Sequence, residues 1–147
     1  MAYSPELGIV ATLKTNSTTG VVSTFPRQWT TNGGFYTPAA TMVANIAAVL
    51  PSKCRWSRKG RVVYVEGSIQ IDPTTTATLT QLRLSLPTPS TFTSTTDISG
   101  TFSGVPSNHA GSIAADTATG TALLSYTPTD VTNQTVAFSF SYAVMPF

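Results

Sequence analysis

The segment QTVAFSFSYAV, residues 134–144, alternates large apolar side chains with small ones more strictly than any other stretch of the chain. Successive side chains of a β-strand point to opposite faces of the sheet, so this period of two predicts a strand that is buried on one face. The small face would let another sheet or subunit approach closely, although ordinary exposed serine and alanine explain it equally well. The predicted core face is Val136, Phe138, Phe140, Tyr142 and Val144, and the small face is Ala137, Ser139, Ser141 and Ala143.

The same period recurs earlier in the chain. Val63, Val65, Ile69 and Ile71 share one face of a second predicted strand, with Gly67 among them. A row of alternate leucines and several shorter apolar segments follow at regular spacing, separated by turns rich in Gly, Pro and Thr. Strands at such spacing are typical of antiparallel sandwiches. The leucine row is Leu82, Leu84 and Leu86.

Composition agrees with an all-β chain. Charged residues make up 10% of the 147 residues, whereas 41% are hydrophobic and many of these are β-branched or aromatic, so low charge does not indicate disorder here. No stretch combines a helical period with capping signals, although the alanines of MVANIAAV would permit a short helix as well as a strand. We therefore expect an antiparallel β-sandwich, jelly-roll-like in topology.

The chain divides into two zones. Residues 1–36 hold two short apolar pieces, LGIVATL and GVVSTF, and then the loop or linker PRQWTTNGGFYTP. Residues 37–147 carry the period-two segments and are expected to form the β-sandwich.

The chain lacks the residues that several classes of function require. A net charge of +2 is too small to imply a charged partner, and the single Cys54 excludes both an internal disulfide and a cysteine-based zinc site. His109 is the only histidine, so no two-histidine metal site can form, and it is expected in a surface loop. The carboxylates are scattered at predicted turns, Asp72 before Pro73 among them, and no motif pairs two of them for glycosidase chemistry. We expect no enzyme, no cofactor and no metal, and neither a signal peptide nor a membrane span.

Five of the eight basic residues crowd into the segment KCRWSRKGR. We expect it to form a strand, a tight turn at Gly60 and the start of the return strand. Cations at the rim of a hairpin keep an edge soluble, which explains the cluster fully, while contact with an acidic partner subunit is an alternative. Nucleic-acid binding is disfavoured because no second basic stripe accompanies the cluster. The cluster is Lys53, Arg55, Arg58, Lys59 and Arg61.

Aromatic residues near the proposed linker form a second candidate contact surface. Trp29, Phe35 and Tyr36 could stack on a sugar or on a partner protein if they are exposed, or they could close one end of the sandwich. Cys54 and Trp56 fall on one face of the basic strand and are expected in the core, the cysteine as a small buried hydrophobe rather than a reactive thiol.

Taken in order, the motifs YTP, CRWSRKGRVVYVEGSIQID, LRLSLP, DISGTFSG, GSIAAD and AFSFSYAV have a familiar arrangement. From Tyr36 to Val144 the chain resembles a β-module of tailed-bacteriophage virion proteins, which is found in capsid decoration proteins and at the ends of head or tail fibres. The first 36 residues lie outside the resemblance, and we expect this zone to attach to the particle or to exchange between subunits. The chain also has no coiled-coil shaft and no fibrous repeat, which favours a free-standing decoration protein over a fibre tip.

The resemblance implies a virion structural protein: a homotrimeric capsid decoration, or cement, protein on the outer surface of the head, assembled in the host bacterial cytoplasm. Its implied partners are further copies of itself and the major capsid protein or another virion protein, with no nucleic acid and no membrane. The alternative is the receptor-binding knob of a head or tail fibre that recognises a host-surface glycan.

Overall fold

The computed structural model describes residues 16–17, 19–20, 32–104 and 109–145, and the chain forms two compact units, residues 1–31 and 32–147. In the first unit, β1 (Asn16–Ser17) and β2 (Thr19–Gly20) pair in an antiparallel ribbon. The candidate contact residue Trp29 belongs to this unit and lies outside the described residues, so the prediction made for it stays a prediction.

The second unit is an antiparallel all-β fold, which confirms the all-β antiparallel part of the prediction. Its ten strands form a sheet that curls into a half-barrel, in the order β3-β6-β7-β12-β9-β10-β11-β8-β4, with β5 paired to β7 off this path. The strands are β3 (Asn32–Tyr36), β4 (Ala40–Ala44), β5 (Ile46–Pro51), β6 (Cys54–Lys59), β7 (Val62–Pro73), β8 (Thr80–Leu84), β9 (Ile98–Gly104), β10 (Ala110–Asp116), β11 (Thr121–Tyr126) and β12 (Gln134–Ala143).

The core lies between the buried faces of the curled sheet, and the predicted alternation accounts for it. β7 and β12 pair in unbroken register from Gln134 opposite Ile71 to Ala143 opposite Val62. The predicted inward residues of both strands are buried except Val144, which lies beyond the end of β12 and is only partly buried. Leu82 and Leu84 on β8 are buried, while Leu86 packs against the core only partly buried. The buried aliphatic and aromatic side chains from these strands are Val63, Val65, Ile69, Ile71, Leu82, Leu84, Val136, Phe138, Phe140 and Tyr142.

Gly67 interrupts the inward row of β7 because Cys54 needs its space. A Cβ atom on Gly67 would lie 2.3 Å from the Cys54 Sγ atom, which is closer than any non-bonded contact allows. Cys54 is fully buried, and burial raises the pKa of its thiol. The predicted buried hydrophobe is confirmed, whereas Trp56 on the same face is only partly buried against the core.

β4 and β5 are two halves of one kinked segment. MVANIAAV is therefore strand, interrupted at Asn45, whose φ of 57° lies in the left-handed region that asparagine tolerates. The Asn45 side chain donates hydrogen bonds to the Thr75 carbonyl (2.8 Å) and the Thr80 hydroxyl (2.7 Å), and accepts one from the Thr75 backbone N–H (2.9 Å). The kink lets β4 pair with β8 while β5 pairs with β7, so one segment joins two strands that are far apart in the sheet order.

Two loop predictions were wrong. Asn32–Tyr36, expected within a linker, forms β3, because the Gly-Gly pair lets its backbone pair closely with β6: a Cβ atom on Gly33 would meet the Trp56 carbonyl oxygen at 2.9 Å. Asp72 and Pro73, expected in a turn, are the last residues of β7, where Asp72 pairs with Ala48. Helical structure within the described residues is confined to a 3₁₀ turn at Thr95–Asp97, and no helix there is long and apolar enough to cross a bilayer.

Candidate functional site

The basic segment forms the predicted hairpin of β6 and β7. Gly60 adopts a φ of 62° at its tip, which glycine allows without strain, and the Arg58 Nε atom donates a 2.8 Å hydrogen bond to the Gly60 carbonyl oxygen. Part of the basic cluster therefore stabilises the turn itself.

The five cations do not form one basic surface. Lys53 and Arg55 are exposed on the outward side, opposite buried Cys54, as predicted. Arg58 has the opposite parity and is half-buried, whereas Lys59 and Arg61 are exposed at the hairpin tip, where each engages other groups of the protein. Lys53, Arg55 and Lys59 have the parity of the outward sheet face, and Lys59 lies at the hairpin end of that face.

Arg55 pairs with Glu66 directly across the β6–β7 ladder. The Arg55 Nε and Nη2 atoms both donate to Glu66 Oε2, the first at 3.0 Å. The side chains are 66% and 57% exposed, so water screens this ion pair and it stabilises the fold little. The ion pair instead forms a charge-neutral centre on the outward face. Glu66 Oε1 and Arg55 Nη1 take no part in the bonds that join the two side chains.

A hollow of about 370 Å³ lies beside this ion pair, over β6, β7, β12 and β9; we call it the Tyr64 hollow. It exists because β6 and β7 carry large outward side chains, whereas the neighbouring β12 and β9 carry small ones. Arg55, Tyr64 and Glu66 form its wall. The small outward residues beside them are Ser99, Thr101, Ser139 and Ser141.

A second hollow, of about 340 Å³, lies on the other side of the same ion pair; we call it the Phe35 hollow. Phe35 on β3 is 69% exposed, stands opposite Arg55 in register, and lies 6.0 Å from the Lys53 Nζ atom, within the range of a cation–π contact. Arg55 and Glu66 line both hollows. The sequence therefore identified Phe35, Lys53 and Arg55, but it missed Glu66, Tyr64 and the serines.

Tyr36, the third aromatic candidate, has a structural role. Its side chain is partly buried against the core, and its hydroxyl donates a 3.2 Å hydrogen bond to the Ser85 carbonyl oxygen. Burial, with smaller contributions from Cys54 and Tyr142, raises the pKa of the Tyr36 phenol. The position of Tyr36 matches the interpretation in which the ring closes the fold rather than contacts a partner.

The prediction for His109 was wrong: its side chain is fully buried. His109 lies with Nδ1 3.5 Å from the Tyr126 hydroxyl and Nε2 3.4 Å from the Asp130 carboxylate. Burial raises the pKa of Tyr126 to about 12, and the pKa of Asp130 is lowered mainly by the backbone N–H of Thr132. The imidazole has no exposed surface, so His109 acts in packing, whereas the Asp130 side chain is 36% exposed.

The other notable ion pair anchors the β10–β11 hairpin. The Arg83 Nε atom lies 2.5 Å from Asp116 Oδ2, and Asp116 Oδ1 accepts hydrogen bonds from the backbone N–H groups of Ala118 and Thr119. Arg83 is the largest cause of the lowered pKa of Asp116. This pair is less exposed than Arg55–Glu66, at 31% and 13%, and belongs to a turn.

Apolar side chains are exposed along the kinked β4–β5 segment. Met42 and Val43 on β4 are 52% and 41% exposed, and Leu50 on β5 is 65% exposed. Leu79, 54% exposed, ends the loop whose residues bond to Asn45. We call these four side chains the apolar band. No charged residue occurs in residues 40–51 or 74–79, so the band lacks the charges that usually protect an edge strand.

The described residues hold no group of three His, Cys, Asp or Glu side chains that could bind a metal ion. Within the described residues of the second unit, the paired hollows and the apolar band are the candidate contact surfaces. No family model, no curated protein and no solved structure matches this chain.

Proposed function

We propose that this protein is a structural component of a tailed-bacteriophage virion, a decoration or cement protein that assembles as a homotrimer on the outer capsid surface. The observation that carries the assembly role is the apolar band, because exposed side chains of this kind mark contact sites when they are grouped on one segment. The virion setting draws on the resemblance of residues 36–144 to phage β-modules. In this proposal the curled sheet is a jelly-roll-like subunit.

The band suits an assembly that depends on many weak contacts. Burying the exposed half of a Met, Val or Leu side chain contributes roughly 1 kcal/mol, so four such side chains contribute about 4 kcal/mol per copy before the cost of association. One copy would therefore bind weakly. Three linked copies, each touching a neighbour and the shell, would be held by avidity.

The long β7–β12 ladder supports a mechanical role. Its ten paired positions and buried aromatic face make a sheet that resists bending, and its hydrogen bonds are internal to the subunit. A shell covered by such subunits would gain cross-links between capsomers without any chemical step.

The experiment compares particles that contain the protein with particles that lack it, and measures genome release on heating. We expect release at a lower temperature from the particles that lack it, and restoration when purified protein is added. A Met42→Ser, Leu50→Ser double variant should fail to bind and restore, while Val131→Ser should behave as wild type, because Val131 is similarly exposed at 47% but lies outside the band. Equal release temperatures together with no binding to the shell would refute the proposal.

A further inference from the structure

The two hollows form one elongated site. They share Arg55 and Glu66, and the aromatic residues Tyr64 and Phe35 stand at either end. Phe35, Arg55 and Glu66 lie in one row across neighbouring strands, and Tyr64 lies two residues from Glu66 along β7. From the strand spacing and the rise per residue, the Cα atoms of Phe35 and Tyr64 are roughly 12 Å apart. A ligand that reaches both rings must be extended.

The charges of the site favour a neutral ligand. Arg55 and Glu66 neutralise each other, and Glu66 would repel a phosphate or a carboxylate brought to the centre. Lys53 lies over the Phe35 ring at one end, and Lys59 lies at the hairpin tip beyond the Tyr64 end. An anionic polymer would need cations along its whole length, which the outward face of β12 and β9 does not supply.

The hydrogen-bonding groups favour a polyhydroxylated ligand. Glu66 Oε1 accepts and Arg55 Nη1 donates, and each remains outside the bonds that join the two side chains. This adjacent acceptor and donor match two neighbouring hydroxyl groups. The serine and threonine hydroxyls beside them both donate and accept, so they suit groups that do the same.

The aromatic rings complete the match. Tyr64 is 53% exposed and Phe35 is 69% exposed, although neither ring is needed to fill the core. The face of an aromatic ring carries partial negative charge, which attracts the weakly positive C–H face of a sugar ring. The Tyr64 hollow has a volume of about 370 Å³ and the Phe35 hollow about 340 Å³. Both volumes fall in the usual range of roughly 300–1,000 Å³ for small-ligand sites.

We infer that the surface around the Arg55–Glu66 pair binds a neutral oligosaccharide, which lies across the pair with one sugar ring against Tyr64 and another against Phe35. The apolar band is built from other strands, so this binding does not depend on the proposed assembly role and either can fail without the other. Oligosaccharide binding would also explain why the outward residues of β12 and β9 in the Tyr64 hollow are small, since they leave the space that the sugar occupies.

The test is a titration of the isotope-labelled full chain with maltohexaose, cellohexaose and chitohexaose, followed by NMR. Each sugar is raised to about 10 mM, tenfold above the ~1 mM dissociation constant of a weak site. We expect at least one sugar to shift the backbone amides of Arg55, Tyr64, Glu66 and Ser139, and inorganic phosphate to leave them unchanged. The inference is overturned if no sugar shifts any of these amides. It is also overturned if phosphate alone shifts them.

Variants separate the binding site from folding. Tyr64→Ala should weaken binding about tenfold, equivalent to ~1.4 kcal/mol, whereas Tyr64→Phe retains the ring and should bind within about threefold of wild type. Val131→Ala, an exposed apolar change elsewhere, should have no effect. Unchanged affinity in Tyr64→Ala would overturn the inference. Amide shifts at the hollows on simple dilution of the protein would also overturn it, because they would identify a second copy of the chain as the occupant.

Discussion

The β7–β12 ladder and the kinked β4–β5 segment are both rich in apolar residues, but they use them differently. In the ladder, ten successive pairs keep their register, and one face is buried throughout. In the segment, the register shifts between Met42 and Ala44 and again between Ile46 and Ala48, and large apolar side chains face solvent. Apolar composition alone therefore does not distinguish a residue that builds the subunit from one that is open to another surface.

The difference lies in periodicity. A strict period of two places every second side chain in the core, so the inward apolar rows of the ladder are buried by the subunit's own fold, whereas Tyr64 on the other face is exposed. An irregular apolar run with a left-handed Asn45 at its centre cannot bury all its side chains on one face. What remains exposed contributes nothing to the isolated subunit, and we interpret it as reserved for contacts with other molecules.

The largest effect should follow from truncating a large side chain in each region. Phe138→Ala removes a ring that is 4% exposed and should lower the free energy of unfolding by about 3–5 kcal/mol. Leu50→Ala, at 65% exposure, should change it by less than about 0.5 kcal/mol. Urea unfolding at two protein concentrations separates subunit stability from assembly. Equal losses in the two variants would remove the distinction between the regions.

Next in size is the kink. Asn45→Ala loses the hydrogen bonds to Thr75 and buried Thr80. It also places alanine in the left-handed region, which asparagine tolerates better, so the free energy of unfolding should fall by about 2–3 kcal/mol. Asn45→Gly relieves the backbone strain and should lose only part of that. If both variants unfold like wild type, Asn45 does not hold the segment in place.

A smaller effect, with a defined pH dependence, should come from Asp116. Its pKa is lowered in the folded state by Arg83, so its contribution is present at neutral pH and is lost as pH falls below about 4, the value in an unfolded chain. Asp116→Asn should cost about 1 kcal/mol at pH 7. The difference from wild type should shrink below pH 4 in denaturant titrations, and a difference independent of pH would contradict the assignment.

The smallest change in stability should come from the outward face of the hairpin. Arg55→Ala removes an ion pair that is mostly exposed, so it should alter the free energy of unfolding by about 0.5 kcal/mol or less. The same variant should weaken oligosaccharide binding, measured by the NMR titration, because a donor is lost from the site. A stability loss comparable to that of Phe138→Ala would show that the pair belongs to the folding core instead.

Much of the ladder could be predicted from the sequence because its signals are local. Alternation within β7 and β12 identifies the buried faces without knowledge of any partner strand. Gly60 identifies its turn, since positive φ favours glycine there. The burial of Cys54 follows from its parity within β6.

The errors came from contacts between distant segments. The Gly-Gly pair of β3 suggested a loop, and only pairing with β6 makes it a strand. The segment PSNHAG predicts a surface loop for His109, but its ring is fully buried and lies beside Tyr126 and Asp130 from later segments.

The candidate site was predicted in part for the same reason. Lys53, Arg55 and Phe35 were identified because clustered charge and exposed aromatics are visible in the sequence itself. Glu66 joins them only through the register of β6 with β7, and the hollows arise from a difference in side-chain size between strands that are distant in sequence. Neither the register of β6 with β7 nor this difference in side-chain size appears as a local pattern in a single sequence.

The central claim, that the apolar band is covered by other copies of the chain, is tested most directly by the mass of the purified protein in solution. At roughly 1 mM protein, where contacts of about 4 kcal/mol become occupied, light scattering should approach about 46.5 kDa for the wild type, three times the 15.5 kDa of the chain, and give about 15.5 kDa for Leu50→Glu. Circular dichroism of the variant should match the wild type, since Leu50 is exposed. A wild-type protein that remains monomeric at high concentration, or a Leu50→Glu trimer, would contradict the account.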